Sequence, residues 1–217
     1  MKTRSKKSLI LALCMLVAFV AWTVAVLTVN VSNEGPESSP VGFSALNSLF
    51  HRATGVNMTL YTLTDLLSVI PLLVVVTFGL VGLCQWIKRR SILRVDYSII
   101  ILGMFYVAVM AAFAFFEVVV INYRPILIEG RQEASYPSST TMLVLCVMPT
   151  AVMQLNSYVK NKVLKNTFTV ITTAFTAFMV TARLICGVHW LTDIVGGILL
   201  SAGLVLLYRY FVSNKPH

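Results

Sequence analysis

The sequence predicts an all-α polytopic membrane protein, a bundle of six transmembrane helices with both termini cytoplasmic. Three observations predict it. The 217 residues are 58% hydrophobic and 12% charged, with a mean hydropathy of +0.84. Soluble domains sit near ~45–50% apolar with about twice that charge. Six apolar runs, about 8–30, 60–86, 97–121, 139–158, 167–186 and 194–212, approach or exceed the ~20 residues that a helix needs to cross a bilayer core. They are too long for barrel strands and show no alternation of polar and apolar residues, so helices are the spanning elements. Finally, the cations fall in alternate loops, as short cytoplasmic loops require.

The first run follows Met1-Lys2-Thr3-Arg4-Ser5-Lys6-Lys7. Those residues suit a signal-peptide start, but the apolar stretch exceeds the ~7–15 residues of a cleavable signal and lacks a clear small-residue cleavage site. It reads as an uncleaved signal anchor. Residues 31–59 form the longest polar connection, an outer loop, with a weak amphipathic or re-entrant signal around 46–50. Pro71 and Pro149 fall inside the second and fourth runs, where the missing backbone donor kinks a helix. With the N-terminus inside, thirteen of the seventeen Lys and Arg face the cytoplasm, and only Arg52, Arg124, Arg131 and Arg183 face out. Of the eight acids only Asp96 falls inside. The net charge of +9 is therefore a consequence of topology, and no nucleic-acid partner is needed to explain it. Cys14, Cys84, Cys146 and Cys186 have no paired spacing, so neither a zinc site nor a disulfide framework is suggested. Residues 1–217 read as a single membrane domain; the oligomeric state is not readable.

The unusual polar residues converge on the outer ends of the third to sixth runs: Glu117, Arg124, Ser138, Ser139, Thr140, Thr141, Arg183, His189 and Asp193. Polar groups at membrane depth are costly, and a cluster of them marks a functional site. Two arginines beside a hydroxyl-rich helix start suit a phosphate, which guanidinium forks and free helix N–H groups both bind. His189 and Asp193 are four apart and share one helical face, so the carboxylate can fix one imidazole tautomer and leave the other nitrogen free as nucleophile or metal ligand. Each piece also has a plainer reading, with Ser138 or Ser139 as an N-cap, Arg183 snorkelling, and His189 and Asp193 opening a helix.

Tyr123-Arg124-Pro125, Tyr136-Pro137-Ser138-Ser139-Thr140, and Arg183 with five residues to His189 and three more to Asp193 resemble the three signature motifs of the type-2 phosphatidate phosphatase family. That family belongs to the superfamily that also holds the vanadium haloperoxidases. The resemblance covers roughly residues 60–212. It implies that His189 is a nucleophile forming a phosphohistidine, that Asp193 orients it, and that Arg124, Arg183 and Ser138 hold phosphate oxygens with help from backbone donors near Ser139. It implies no metal or other cofactor, and a lipid phosphate or isoprenyl diphosphate as substrate, with the plasma membrane as location and the site at its outer face.

The chain departs from the family motifs at two positions. Glu117 stands seven residues before Arg124 where the family has a lysine, and Ser139 and Thr140 replace the glycine and general-acid histidine of the second motif. Glu117, two helical turns from Arg124 on the assumed helix, and Thr140 are candidates for a substituted donor. A weak acid at Thr140 favours diphosphates, whose leaving group needs a proton less than an alkoxide does. Three functions are therefore compared: a lipid phosphatase such as one for undecaprenyl diphosphate, a relative that binds lipid phosphates without turnover, and a small transporter. A transporter of this size would usually carry a repeat and broken helices near the midplane, whereas this sequence has no internal repeat and its polar cluster lies at one surface.

Overall fold

A computed structural model describes residues 2–215 of the chain. Eight α-helices carry them: α1 (Lys2–Thr28), α2 (Ser44–Thr54), α3 (Met58–Leu67), α4 (Val69–Arg89), α5 (Tyr97–Val118), α6 (Ser139–Tyr158), α7 (Lys162–Ile185) and α8 (Leu191–Ser213). Helices α3 and α4 follow one another across Ser68 and form one span, Met58–Arg89, so that six spans are long and apolar enough to cross a membrane. The break at Ser68 lies three residues before Pro71, where the proline ring removes a donor and crowds the carbonyl four residues back. Pro149, by contrast, sits within an uninterrupted α6.

The boundaries that differ from the apolar runs differ for identifiable reasons. Helix α7 starts at Lys162 because Asn161 Oδ1 accepts the backbone N–H groups of Val163 and Leu164 at 2.9 and 3.1 Å, an N-cap ahead of the apolar stretch. Helix α8 starts at Leu191 because Asp193, in its first turn, accepts the backbone N–H of Trp190 at 2.9 Å. Helix α5 stops at Val118. Arg124 therefore lies on a loop, and the expectation that Glu117 and Arg124 share one helical face is incorrect.

Helices α6 and α8 are the centre. Buried residues make up 56% and 50% of their most apolar windows, against 6% for the α3–α4 span. Helix α6 packs on α4, α5, α7 and α8, and α1 lies along α8. Ser8 donates to Leu206 O and Trp22 Nε1 to Thr192 O, so α1 and α8 are antiparallel and the start of α1 and the end of α8 lie at one end of the bundle. Around this centre the outer faces carry exposed Val17, Leu66, Val107 and Val170, the surface that hydrocarbon rather than water stabilises.

The two ends of the bundle differ. At the end that carries the termini, Asp96 accepts from Arg89, Gln85 and Tyr158 at 2.7–3.0 Å, and the Arg89 hydrogen bond holds its carboxyl below the usual range. At the other end, the 31–59 connection folds back as α2 over the start of α8. Asn47 is fully buried there, donating to Gly42 O and Thr192 Oγ1 at 2.7 and 3.0 Å and accepting from Thr192 N at 3.3 Å. Gly187, in the turn between α7 and α8, has φ +71°, and a Cβ there would lie 1.9 Å from Gly55 O. Only glycine lets the 31–59 connection sit this close to that turn.

Candidate functional site

Three segments meet beneath α2: the hairpin between α5 and α6, the turn between α7 and α8, and the N-terminus of α6. The hairpin is held by bridges pairing Tyr123 with Ala134 and Ile128 with Arg131, and by hydrogen bonds from Arg124 N to Glu133 O and from Ser135 N to Asn122 O. Tyr136 anchors its return strand. Its ring stacks on Phe19 and meets Phe116 edge-on, its hydroxyl is 2.7 Å from Thr23 Oγ1, and Gly196 leaves room for it. Trp190 Nε1 donates to Tyr123 O at 2.8 Å and ties the α7–α8 turn to the hairpin.

His189 and Asp193 lie together, but the hydrogen bond between them runs through a third residue. His189 Nδ1 is 3.8 Å from Asp193 Oδ2. Between them, Ser135 Oγ donates to Asp193 Oδ2 at 2.5 Å and is 3.0 Å from His189 Nδ1. The single hydroxyl proton of Ser135 is committed to a carboxylate that can only accept, so Ser135 accepts from His189. The network therefore fixes the Nδ1–H tautomer and leaves the Nε2 lone pair free. Asp193 also accepts from Asn122 Nδ2 and Trp190 N. Burial lowers the basicity of His189 to a pKa of about 4; the nearby Asp193 carboxylate opposes this, and Arg124 and Arg183 add to it. The imidazole is neutral through the physiological range.

The arginines converge on the same spot from two sides. The Arg183 guanidinium lies 4.8 Å from the centroid of the Tyr61 ring and that of Arg124 5.7 Å from it, so one aromatic ring on α3 contacts both cations. Arg183 NH2 donates to Thr140 Oγ1 at 2.6 Å and to Asp65 Oδ1 at 3.2 Å, and Arg124 Nε lies 3.0 Å from Glu133 Oε2. Several buried polar atoms have no hydrogen-bond partner among the described residues: Arg124 NH1, Arg183 Nε and NH1, Ser138 Oγ, Thr141 Oγ1 and His189 Nε2. Leaving a buried polar group unsatisfied costs ~1–3 kcal/mol, so a cluster of guanidinium donors beside a free imidazole nitrogen is a place built for an anion. Ser138 makes no capping bond, which sets aside the plain N-cap reading for it. The first turn of α6 leaves the N–H groups of Ser139, Thr140 and Thr141 without intrahelical acceptors.

The structure thus brings together Arg124, Ser138, Thr140, Arg183, His189 and Asp193, with Ser139 at the α6 start. Glu117 is exposed at the end of α5 and makes no contact with the two arginines; it lines one groove with Phe113, Tyr123, Gln132 and Glu133 and a second, narrow one with Ser135, Tyr136 and Ser139. Ser135, Asn122, Tyr61 and Asp65 were not foreseen. Ser135 precedes the Tyr136-Pro137 motif and carries no pattern of its own, while Tyr61 and Asp65 are four apart on α3, where Asp65 is the one charged residue, a spacing that could have singled them out.

Residues 117–216 match the family model described as the PAP2 superfamily. No curated protein matches the chain. Among solved structures, the fold is similar to the crystal structure of a transmembrane PAP2-type phosphatidylglycerolphosphate phosphatase from Bacillus subtilis. The TM-score is 0.69 at 14% identity, covering 95% of this chain and 98% of that one. The six spans and this fold make the chain a multi-pass membrane protein. The part that matches the PAP2 superfamily model, residues 117–216, holds the hairpin, both arginines and the histidine turn.

Proposed function

We propose that the protein is a membrane-embedded phosphatase that hydrolyses a lipid phosphate or an isoprenyl diphosphate such as undecaprenyl diphosphate through a phosphohistidine. One observation carries the reading: the free Nε2 of a tautomer-fixed His189 shares a buried site with unpartnered donors of Arg124, Arg183 and Ser138. Guanidinium groups neutralise phosphate oxygens, Nε2 attacks phosphorus, and positive charge growing on the ring is relayed through Ser135 to Asp193. A 260 Å³ cavity leads away from this point, with Asp65, Ser139 and Thr140 at its polar end and Leu72, Val109, Met110 and Phe113 along its walls. Leu72 and Met110 are also exposed on the outer surface, a route along which a hydrocarbon tail can remain in the bilayer while its phosphate enters.

A second reading, a relative that binds lipid phosphates without turnover, is favoured by Thr140 and Glu117 standing where the resemblance expects an acid and a cation. Phosphate release by the purified protein separates the two. Undecaprenyl diphosphate and phosphatidylglycerolphosphate, the second taken from the name of the similar Bacillus subtilis enzyme, are the substrates to compare. Release is expected to survive chelators and to be abolished in His189→Ala. Because the attacking form is the neutral imidazole, activity should persist as pH falls through 6.5 and fail only towards about 4. Binding without release by the wild type would install the second reading.

Ser135→Ala should lower kcat with little change in KM, by roughly tenfold for a lost hydrogen bond of about 1.4 kcal/mol in the transition state, and Ser135→Thr should recover part of it. An unchanged kcat in Ser135→Ala would remove the relay from the mechanism.

We further propose that the termini are cytoplasmic and the site faces outward in the plasma membrane, which the distribution of cations supports. Cysteines introduced at Ser38 or Gly130 should react with an impermeant thiol reagent on intact cells, and one at Asn161 should not. The opposite pattern would invert the topology.

A further inference from the structure

A phosphatase site needs a proton for the departing oxygen, and the hydroxyl of Thr140, which occupies the motif position for it, is too weak an acid. The structure places a carboxyl group beside that hydroxyl. Asp65 Oδ1 and Thr140 Oγ1 both accept from the same nitrogen, NH2 of Arg183, at 3.2 and 2.6 Å, and both residues line the cavity that leads to the outer apolar surface. Asp65 is one turn beyond Tyr61 on α3 and shares its face, so the helix that supplies the platform for the two guanidinium groups also supplies this carboxyl. No salt bridge among the described residues other than that with Arg183 engages it, and its side chain is 61% exposed, free to turn onto a substrate.

We propose that Asp65 is the general acid of the site and does the work of the motif histidine that Thr140 replaces. The proposal rests on the phosphatase reading. In-line displacement puts the leaving oxygen opposite His189 Nε2, and a lipid substrate extends from that oxygen into the cavity at whose mouth Asp65 stands. As Nε2 forms its bond to phosphorus and the P–O bond to the lipid breaks, the protonated Asp65 carboxyl gives its proton to the departing oxygen. Water then attacks phosphorus, the P–N bond breaks, and the Asp65 carboxylate takes a proton from that water. Phosphate leaves, and His189 and Asp65 return to their starting states. The charged group that meets Asp65 is Arg183, and Arg124 lies against the same Tyr61 ring as Arg183.

The test is dependence on the leaving group. A lipid monophosphate expels an alkoxide that requires a proton; 4-nitrophenyl phosphate and the diphosphate of the same lipid alcohol expel stable anions. Asp65→Asn in the full-length protein should lose roughly 100-fold or more on the lipid monophosphate, the range for removal of a general acid, and no more than a few-fold on the two substrates with good leaving groups. Asp65→Glu should retain part of the monophosphate activity. Equal losses on all three substrates would reduce Asp65 to a positioning residue for Arg183 and overturn the proposal while leaving the phosphatase reading intact. A gain on all three would make Asp65 a competing anion, which also overturns it. A wild type inert towards every substrate overturns the phosphatase reading and the acid role with it.

Discussion

The site depends on a carboxylate held out of water. Asp193 is fully buried, and a bare carboxylate at that depth would cost several kcal/mol. Three donors offset the cost: Ser135 Oγ, Asn122 Nδ2 and the Trp190 backbone N–H. Each comes from a segment that has to be in place for the site to exist. Asn122 and Ser135 belong to the two sides of the hairpin that carries Arg124, and Trp190 follows His189 directly. Asp193 itself sits in the first turn of α8, where the positive end of the helix dipole also favours it. Satisfying one buried charge thus fixes the hairpin, the histidine turn and the central helix relative to one another. The backbone bond from Ser138 N to Asp193 O brings in the start of α6 as well.

What the carboxylate organises is a set of groups left without partners on purpose of geometry rather than by accident of packing. Two like charges lie against the Tyr61 ring, an arrangement that is unfavourable unless an anion comes between them. Asp65 and Glu133 each engage one of the arginines. These carboxylates lower the net positive charge that a phosphate meets, so phosphate has to compete with them for the guanidinium donors. His189 stays neutral because burial and both arginines disfavour its proton more than Asp193 favours it, which keeps the Nε2 lone pair available in a strongly cationic setting.

Much of this was legible in the sequence, and the parts that were not share a cause. The six spans follow from run length, because a bilayer demands about 20 apolar residues and permits little else. Arg124, Ser138, Arg183, His189 and Asp193 were legible because they are polar where polarity is costly, and their spacing added the family resemblance. Glu117 was misplaced relative to Arg124 because an apolar run does not reveal where a helix stops. Val119, Val120 and Ile121 are as apolar as α5 itself, yet the chain leaves the helix after Val118. Ser135 escaped notice because a bridging serine is defined by what lies across the fold, here residues 54 and 58 positions away. The short α2 gave a weak signal because only a few of its side chains are buried, and its role is carried largely by Asn47.

The central claim is that the free Nε2 of His189 takes the phosphoryl group. Rapid acid-free quenching of the purified protein during turnover of a lipid substrate labelled in its phosphate, followed by peptide mass spectrometry, tests it directly. The account predicts one phosphoryl group on His189, stable in base, lost in acid as a phosphoramidate is, and absent from His189→Ala. Label on another side chain, or steady turnover with His189 never phosphorylated, would contradict it.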